Sequence, residues 1–128
     1  MSQSQKRVLI AGGGVAALEA ALALRSIAEG RVRVELLAPE PRFWYRPQAV
    51  SAPFRLGGVM HLELDGIARE IGAELTPGGL VGIDAWRHIA YASKNAEIEY
   101  DMLLIACGAV PMPAIPGAIT FRGPRTSS

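Results

Sequence analysis

The pattern of apolar and polar positions predicts alternating strands and helices in the first third of the chain. After a polar N-terminal tail, the apolar run Val8 to Ala11 predicts a strand. Apolar residues at helical spacing, with alanines between them, predict a helix from Val15 to Ala28 that is covered on more than one side and closed by Gly30. The run Val32 to Ala38 predicts a second strand, which Pro39-Glu40-Pro41 ends. This order favours a right-handed βαβ unit with two parallel strands.

The rest of the chain changes character after a long connection, residues 39–60, that is rich in Pro, Arg and aromatic residues. A short helix with Asp65 as its N-cap is expected to run through Ile71 and to end at Gly72. The apolar run Met102 to Ala106 predicts a buried parallel strand that returns to the main sheet. Three short runs separated by turn residues predict an antiparallel meander before it, namely Leu80 to Ile83, His88 to Ala92 and Ile98 to Tyr100.

Composition narrows the class of protein. The chain has 128 residues, of which 50% are hydrophobic and 20% are charged, which indicates one globular domain. A net charge of +1 with no basic block argues against a nucleic-acid partner. Its apolar stretches are too short to span a bilayer. Cys107 is the only cysteine, which excludes an internal disulfide framework and favours a cytoplasmic location.

The most informative motif is the glycine turn between the first strand and the first helix. Gly12-x-Gly14-x-x-Ala17 matches the G-x-G-x-x-G/A fingerprint of dinucleotide-binding folds. In that fingerprint Gly12 permits a tight turn, Gly14 lets a pyrophosphate approach the backbone, and Ala17 lets the helix pack close to the strand. The start of the helix also favours an anion. The alternative is a structural glycine turn that binds nothing.

Three blocks of the chain, in order along it, resemble one superfamily of flavoproteins: Val8 to Glu19, Phe43 to Pro47 and Tyr100 to Gly123. They resemble the N-terminal FAD-binding segment of the pyridine nucleotide-disulfide oxidoreductases. Within that superfamily, they are similar to the flavoproteins related to type II NADH dehydrogenases and sulfide:quinone reductases. The third block is similar to the second FAD signature, a strand that ends in Ala-Thr-Gly. The resemblance implies an α/β fold, a Rossmann-like FAD/NAD(P)-binding domain with a parallel sheet and an antiparallel three-stranded β-meander (three-layer ββα).

The resemblance also implies which residues bind the cofactor, FAD. It places the pyrophosphate at Gly12, Gly13, Gly14, Val15 and Ala16, with Ala17 completing the motif. The adenine is expected near Leu80 and Val81, and the flavin side of the nucleotide over Ala106, Cys107 and Gly108. Arg46 and Pro47 are expected near the ribityl or isoalloxazine end, although Arg46 is equally well read as a solvated loop residue.

Two positions depart from the superfamily's pattern. Ala38 stands where an acidic residue usually binds the adenosine ribose. Glu40 is the nearest acid and either reaches the ribose or is a solvated loop residue, whereas Glu35 is expected to have a cross-strand or surface role. Cys107 replaces the threonine of Ala-Thr-Gly and is expected to be a buried, small hydrophobic residue rather than a nucleophile.

Other catalytic patterns are missing from the sequence. No cysteine lies between Phe43 and Ala52, which excludes the redox cysteine pair of the disulfide reductases. His61 and His88 have no metal-ligand pattern around them and are expected to be surface or strand-packing residues. We therefore name no catalytic residue and no metal site.

The function implied for the parent enzyme is hydride transfer from a nicotinamide to FAD, followed by electron transfer to a quinone-like or other acceptor. Residues 1–128 are expected to form the FAD-binding domain, truncated before the NAD(P)H-binding domain, so that catalysis by these residues alone stays uncertain. Peripheral membrane contact of the parent stays open, and apolar surface left uncovered predicts a homo-oligomer. The alternative is a stand-alone, non-catalytic module that binds FAD, NAD or ADP at Gly12 to Ala17. A simple NAD-dependent dehydrogenase is disfavoured by the meander.

Overall fold

A computed structural model describes residues 4–110 and 112–119, apart from the side chains of residues 52 and 53. Residues 111 and 120–123 of the third sequence block lie outside this part. The elements in chain order are β1 (Lys6–Ala11), α1 (Val15–Ala28), β2 (Val32–Ala38), β3 (Arg42–Trp44), a 3₁₀ helix (Arg46–Phe54), β4 (His61–Glu63), α2 (Leu64–Ile71), β5 (Glu74–Pro77), β6 (Leu80–Asp84), β7 (Ile89–Ala92), β8 (Ala96–Glu99) and β9 (Met102–Ile105).

Three layers form around a parallel sheet with the strand order β5-β2-β1-β9. Successive side chains of a strand point to opposite faces, so β1 contributes to two cores. Val8 and Ile10 pack with α1 and α2 on one face. Leu9 packs on the other face with the antiparallel meander β6-β7-β8. The predicted three-layer ββα arrangement is confirmed.

Several element boundaries differ from those expected. Helix α1 ends as predicted at Ala28, but Glu29 is its C-cap in the left-handed conformation, with φ 46°, before Gly30. The N-cap of α2 is Glu63 rather than Asp65. The extended backbone of Glu63 places the Leu64 N–H on the Pro41 carbonyl at 2.9 Å, so the helix begins two residues earlier than its sequence suggests.

The predicted burial of the Met102 strand is wrong for the described part of the chain. Strand β9 pairs in parallel with β1, as expected, but it is an edge strand of the sheet. Its side chains at Met102, Leu104 and Ile105 are 56%, 41% and 58% exposed. The expectation that α1 is covered on more than one side is also wrong for this part of the chain, because Leu22 and Ile27 on its outer side are 48% and 72% exposed. Within residues 4–110 and 112–119, no helix is long and apolar enough to cross a membrane.

The turn before β9 predicts a pH-dependent stability. The Asp101 carboxylate accepts the Arg7 N–H at 2.7 Å and lies 3.2 Å from the Lys6 ammonium. The backbone bond from Arg7 and then the bond from Lys6 hold the pKa of Asp101 below its ordinary 3.8. A lowered folded-state pKa stabilises the fold above the unfolded value, and this stabilisation is lost as the pH falls through the folded value.

We therefore expect Asp101→Asn to unfold at a lower urea concentration than the wild type near neutral pH. The difference between the two midpoint urea concentrations is expected to shrink below pH 3.8. Asparagine keeps an oxygen acceptor for the Arg7 N–H, so the variant removes mainly the charge. Urea unfolding at several pH values measures the difference. A difference that is the same at every pH would contradict this account of Asp101.

Candidate functional site

A cleft opens at the carboxyl ends of β1, β2 and β9. Its volume is about 560 Å³, within the range of small-molecule sites. In open α/β sheets, ligands bind outside the carboxyl ends of the strands, and the glycine turn after β1 lies at this edge. The cleft is therefore where the fold and the sequence motif both place a ligand.

Backbone hydrogen bonds tie the three strand ends together beneath the cleft. The Gly12 N–H donates to the Leu37 carbonyl at 2.8 Å, and the Ala106 N–H donates to the Ala11 carbonyl at 2.7 Å. Gly12 has a φ of +140°, and a Cβ on it would lie 2.1 Å from the Ala106 carbonyl oxygen. The turn therefore requires glycine at position 12 for its conformation and for its contact with β9.

The next two glycines leave the start of α1 open to the cleft. A Cβ on Gly13 would lie 2.9 Å from side-chain carbons of Ala38 and Leu64, whereas one on Gly14 would meet nothing within 4 Å. Gly14 is the N-cap of α1, and no side chain in the described residues caps this end. The first N–H groups of a helix have no intrahelical partners and carry partial positive charge. The N-terminal start of α1 is thus suited to bind an anion such as a pyrophosphate.

Twelve of the fourteen residues expected to bind the cofactor line this one cleft. The two others lie elsewhere. Ala17 is completely buried in the core, which fits its expected role of close helix packing, and Val81 is 70% exposed outside the cleft, although its neighbour Leu80 lines it. The residues brought together are Gly12, Gly13, Gly14, Val15, Ala16, Glu40, Arg46, Pro47, Leu80, Ala106, Cys107 and Gly108. Cofactor binding by these residues stays a prediction.

Sequence reasoning missed several residues of the cleft, among them the two long side chains Arg42 and Trp44. Both lie on β3, a three-residue strand that was read as loop. The available signal was the alternation in this segment, since Phe43 between them is buried on the opposite side. Arg42 pairs with Glu63, with Nε 2.9 Å from Oε1. In the described part of the chain no carboxylate pairs with Arg46, so this guanidinium is available to an anion.

Cys107 is exposed, so its predicted burial is wrong. It follows the edge strand β9, where nothing in the described residues covers it. Its Sγ donates to the Ala11 carbonyl at 3.4 Å. The thiol thus contributes to the same strand-end network as the Ala106 N–H, and among the described residues no side chain pairs with it to activate a nucleophile.

The other polar residues considered in the sequence analysis have structural contacts. Thr76 donates its hydroxyl to Glu35 at 2.6 Å across neighbouring strands, which confirms the cross-strand role expected for Glu35. The His61 ring lies 4.8 Å from that of Trp44, and the His88 ring stacks on Tyr100 at 5.5 Å. Both histidines therefore pack against aromatic rings, as expected.

Comparison with known proteins finds its matches among solved structures. No family model and no curated protein matches the chain. A ferredoxin reductase from Rhodopseudomonas palustris is 28% identical, with a TM-score of 0.73 over 88% of this chain and 29% of its own. The sulfide:quinone oxidoreductase of Aquifex aeolicus is 22% identical, with a TM-score of 0.72 over 80% of this chain and 24% of its own. NDH2 of Plasmodium falciparum, solved with NADH, is 17% identical, with a TM-score of 0.73 over 84% and 23%.

These neighbours are FAD-dependent pyridine nucleotide-disulfide oxidoreductases. The resemblance indicated by the three sequence blocks is therefore confirmed, and the fold is that of a Rossmann-like FAD-binding domain. The chain spans less than a third of the length of the solved structures described above.

Proposed function

We propose that this chain is the FAD-binding part of a flavin-dependent NAD(P)H oxidoreductase. The observation that carries the proposal is the cleft at the uncapped start of α1, closed beneath by the strand-end bonds of Gly12 and Ala106. It occurs in a fold shared with FAD-dependent reductases. In the parent enzyme, electrons pass from a nicotinamide through FAD to a quinone-like or other acceptor.

The residues present fit the cofactor at its pyrophosphate. Gly14 leaves open space where a side chain would stand, so phosphate oxygens can approach the N–H groups at the start of α1. Arg46, exposed at the cleft, adds a positive charge for a phosphate or a flavin edge. FAD supplies the redox chemistry when bound, while these residues bind and orient it.

In this proposal, the nicotinamide and the electron acceptor bind to other parts of a full-length reductase, which do not align with this chain. The solved reductases are more than three times as long as the part that aligns. A second nucleotide-binding domain would bring NAD(P)H to the flavin. A quinone acceptor would also bring the parent to a membrane surface as a peripheral protein. The cytoplasmic location expected from the single cysteine stays a prediction.

A non-catalytic dinucleotide-binding module is the second candidate, because the glycine turn, the start of α1 and the strand-end bonds beneath them all lie within the described residues. Titration of the purified chain with FAD, NAD⁺ and ADP separates the two, with flavin fluorescence or competition against FAD as the readout. We expect FAD to bind at least roughly tenfold more tightly than NAD⁺. Binding of NAD⁺ or ADP without binding of FAD would overturn it.

Self-association is a further expected property of the chain. Strand β9 leaves an open edge and exposed apolar side chains, which favour pairing with a second copy. Leu104→Lys places a charge on this edge strand and is expected to shift the chain toward monomer in sedimentation velocity. Trp86→Lys adds the same charge in the turn between β6 and β7, outside the parallel sheet, where the indole is 97% exposed, and serves as the control. A wild type that sediments only as a monomer would contradict this prediction.

A further inference from the structure

An aromatic side chain borders the cleft beside the end of β2. Glu40, Arg42, Trp44 and Arg46 all line the cleft, at every second position. Phe43 lies between them on the opposite face, buried against the core at 8% exposure. Within β3 itself, Arg42 and Trp44 line the cleft and Phe43 between them packs in the core, which is the alternation of a strand with one face toward the site. Trp44 is thus a large, flat apolar surface within a row of charged side chains.

The position of Trp44 is held by the β3-β4 hairpin. Trp44 pairs in register with His61, and the two ring centroids lie 4.8 Å apart with 32° between the planes. The Tyr45 N–H donates to the Met60 carbonyl at 3.0 Å, next to this pair. The indole is half-buried, so much of its conformational freedom is already lost before a ligand binds.

The end of β2 lacks the group that normally holds the adenosine ribose. In dinucleotide-binding folds an acidic residue near this point accepts hydrogen bonds from the ribose hydroxyls. Here Ala38 lines the cleft with a methyl group, which cannot accept a hydrogen bond. Its carbonyl accepts the Gly78 N–H at 2.9 Å, which brings Gly79 and Leu80 to the same side of the cleft. Leu80, near which the adenine is expected, lines the same cleft as Trp44, so the indole borders the cavity that a dinucleotide would occupy.

We propose that Trp44, supported by His61, stacks on the adenine of the bound dinucleotide and takes over from the ribose–carboxylate hydrogen bonds that Ala38 cannot make. This inference rests on the proposed function, since it presumes a dinucleotide in the cleft. Base stacking on an aromatic side chain tolerates changes in the sugar, because it uses only the face of the base. In this account Trp44 is a cofactor-binding residue, and His61 is the residue that positions it.

Binding of FAD, ADP and 2′-deoxy-ADP to the wild type and to variants tests the inference. Trp44→Leu is expected to weaken FAD and ADP by a similar factor, roughly five- to a hundredfold, whereas Trp44→Phe keeps a ring and retains most of the affinity. Trp86→Leu removes the other indole, outside the cleft, and is the matched control. 2′-Deoxy-ADP is expected to bind within about threefold of ADP, since no carboxylate is needed at the ribose.

A spectroscopic readout keeps the test independent of stability. In Trp86→Phe the only tryptophan is Trp44, and saturating ADP is expected to quench and shift its emission. A wild type that binds no FAD would overturn the proposed function itself. FAD binding that is unchanged in a folded Trp44→Leu, or Trp44 emission that ADP leaves unchanged, would overturn the stacking role alone. A tenfold loss with 2′-deoxy-ADP that Glu40→Gln reproduces would also overturn it, and would assign the ribose to Glu40.

Discussion

Gly12→Ala is expected to lower the free energy of unfolding by roughly 2–6 kcal/mol and to abolish FAD binding. Two effects add. Alanine at a φ of +140° is strained, and its Cβ would lie 2.1 Å from the carbonyl oxygen of Ala106, a backbone atom that cannot move without displacing β9. The displaced segment includes Ala106 and Cys107, which line the cleft. The clash with the Ala106 carbonyl is thus expected to cause both the loss of stability and the loss of FAD binding.

Urea unfolding and FAD titration of the variant measure both effects. Gly66→Ala is the matched control, because a Cβ there, in the first turn of α2, meets nothing within 4 Å. It is expected to raise the free energy of unfolding by about 1 kcal/mol, since alanine favours a helix more than glycine does. If Gly12→Ala left the stability unchanged, the contact between the glycine turn and β9 would be wrong.

Gly14→Glu is expected to abolish FAD binding without harming the fold, which makes it the sharper test of the pyrophosphate position. Gly14 has an ordinary φ of −91°, and a Cβ there meets nothing within 4 Å. A carboxylate at the start of α1 stabilises the helix by about 0.3–1 kcal/mol. The same charge repels a pyrophosphate and occupies its hydrogen-bond donors, so the affinity for FAD is expected to fall roughly a hundredfold or more.

Gly14→Gln separates charge from size. Glutamine has nearly the same volume as glutamate but no charge, so it is expected to weaken FAD by roughly tenfold less than glutamate does. Thermal unfolding of both variants checks that the fold is intact. Equal affinities of the two variants would mean that the ligand carries no negative charge at the start of α1, against the assignment of the pyrophosphate.

The sequence was sufficient where local pattern decides structure. The unit β1-α1-β2 follows from two apolar runs around a helix of alanines and leucines, and the structure confirms its order and its parallel pairing. The meander followed from short runs between turn residues and is also confirmed. The glycine turn identified the edge of the sheet where the cleft lies, because its residues bridge a strand end and a helix start.

The sequence was insufficient where tertiary contacts decide structure. Strands β3 and β4 have three residues each, too few for a period, and they are held by pairing with each other and by the buried Phe43. Strand β5, Glu-Leu-Thr-Pro, is a sheet edge with a single aliphatic side chain, Leu75, so its apolar pattern is too weak to predict a strand. Because β3 was not predicted, Arg42 and Trp44 on it were missed as residues of the cleft.

The error on β9 has a different origin. An entirely apolar run predicts burial on both faces, and Met102 to Ile105 is such a run. In the described residues the strand pairs on one side only, so its outward side chains and Cys107 are exposed. The pattern identified the strand correctly, but burial depends on which surfaces pack against it.

Mapping the FAD site by NMR tests the central claim most directly. At 13.6 kDa the isotope-labelled chain is small enough for amide chemical shifts to be followed residue by residue during a titration with FAD. We predict that the largest shifts occur at Gly12 to Ala16, at Arg46, at Leu80 and at Ala106 to Gly108, and that Gly14→Glu removes them. Saturable shifts centred on other residues, or no shifts at all, would contradict the assignment of this cleft to FAD.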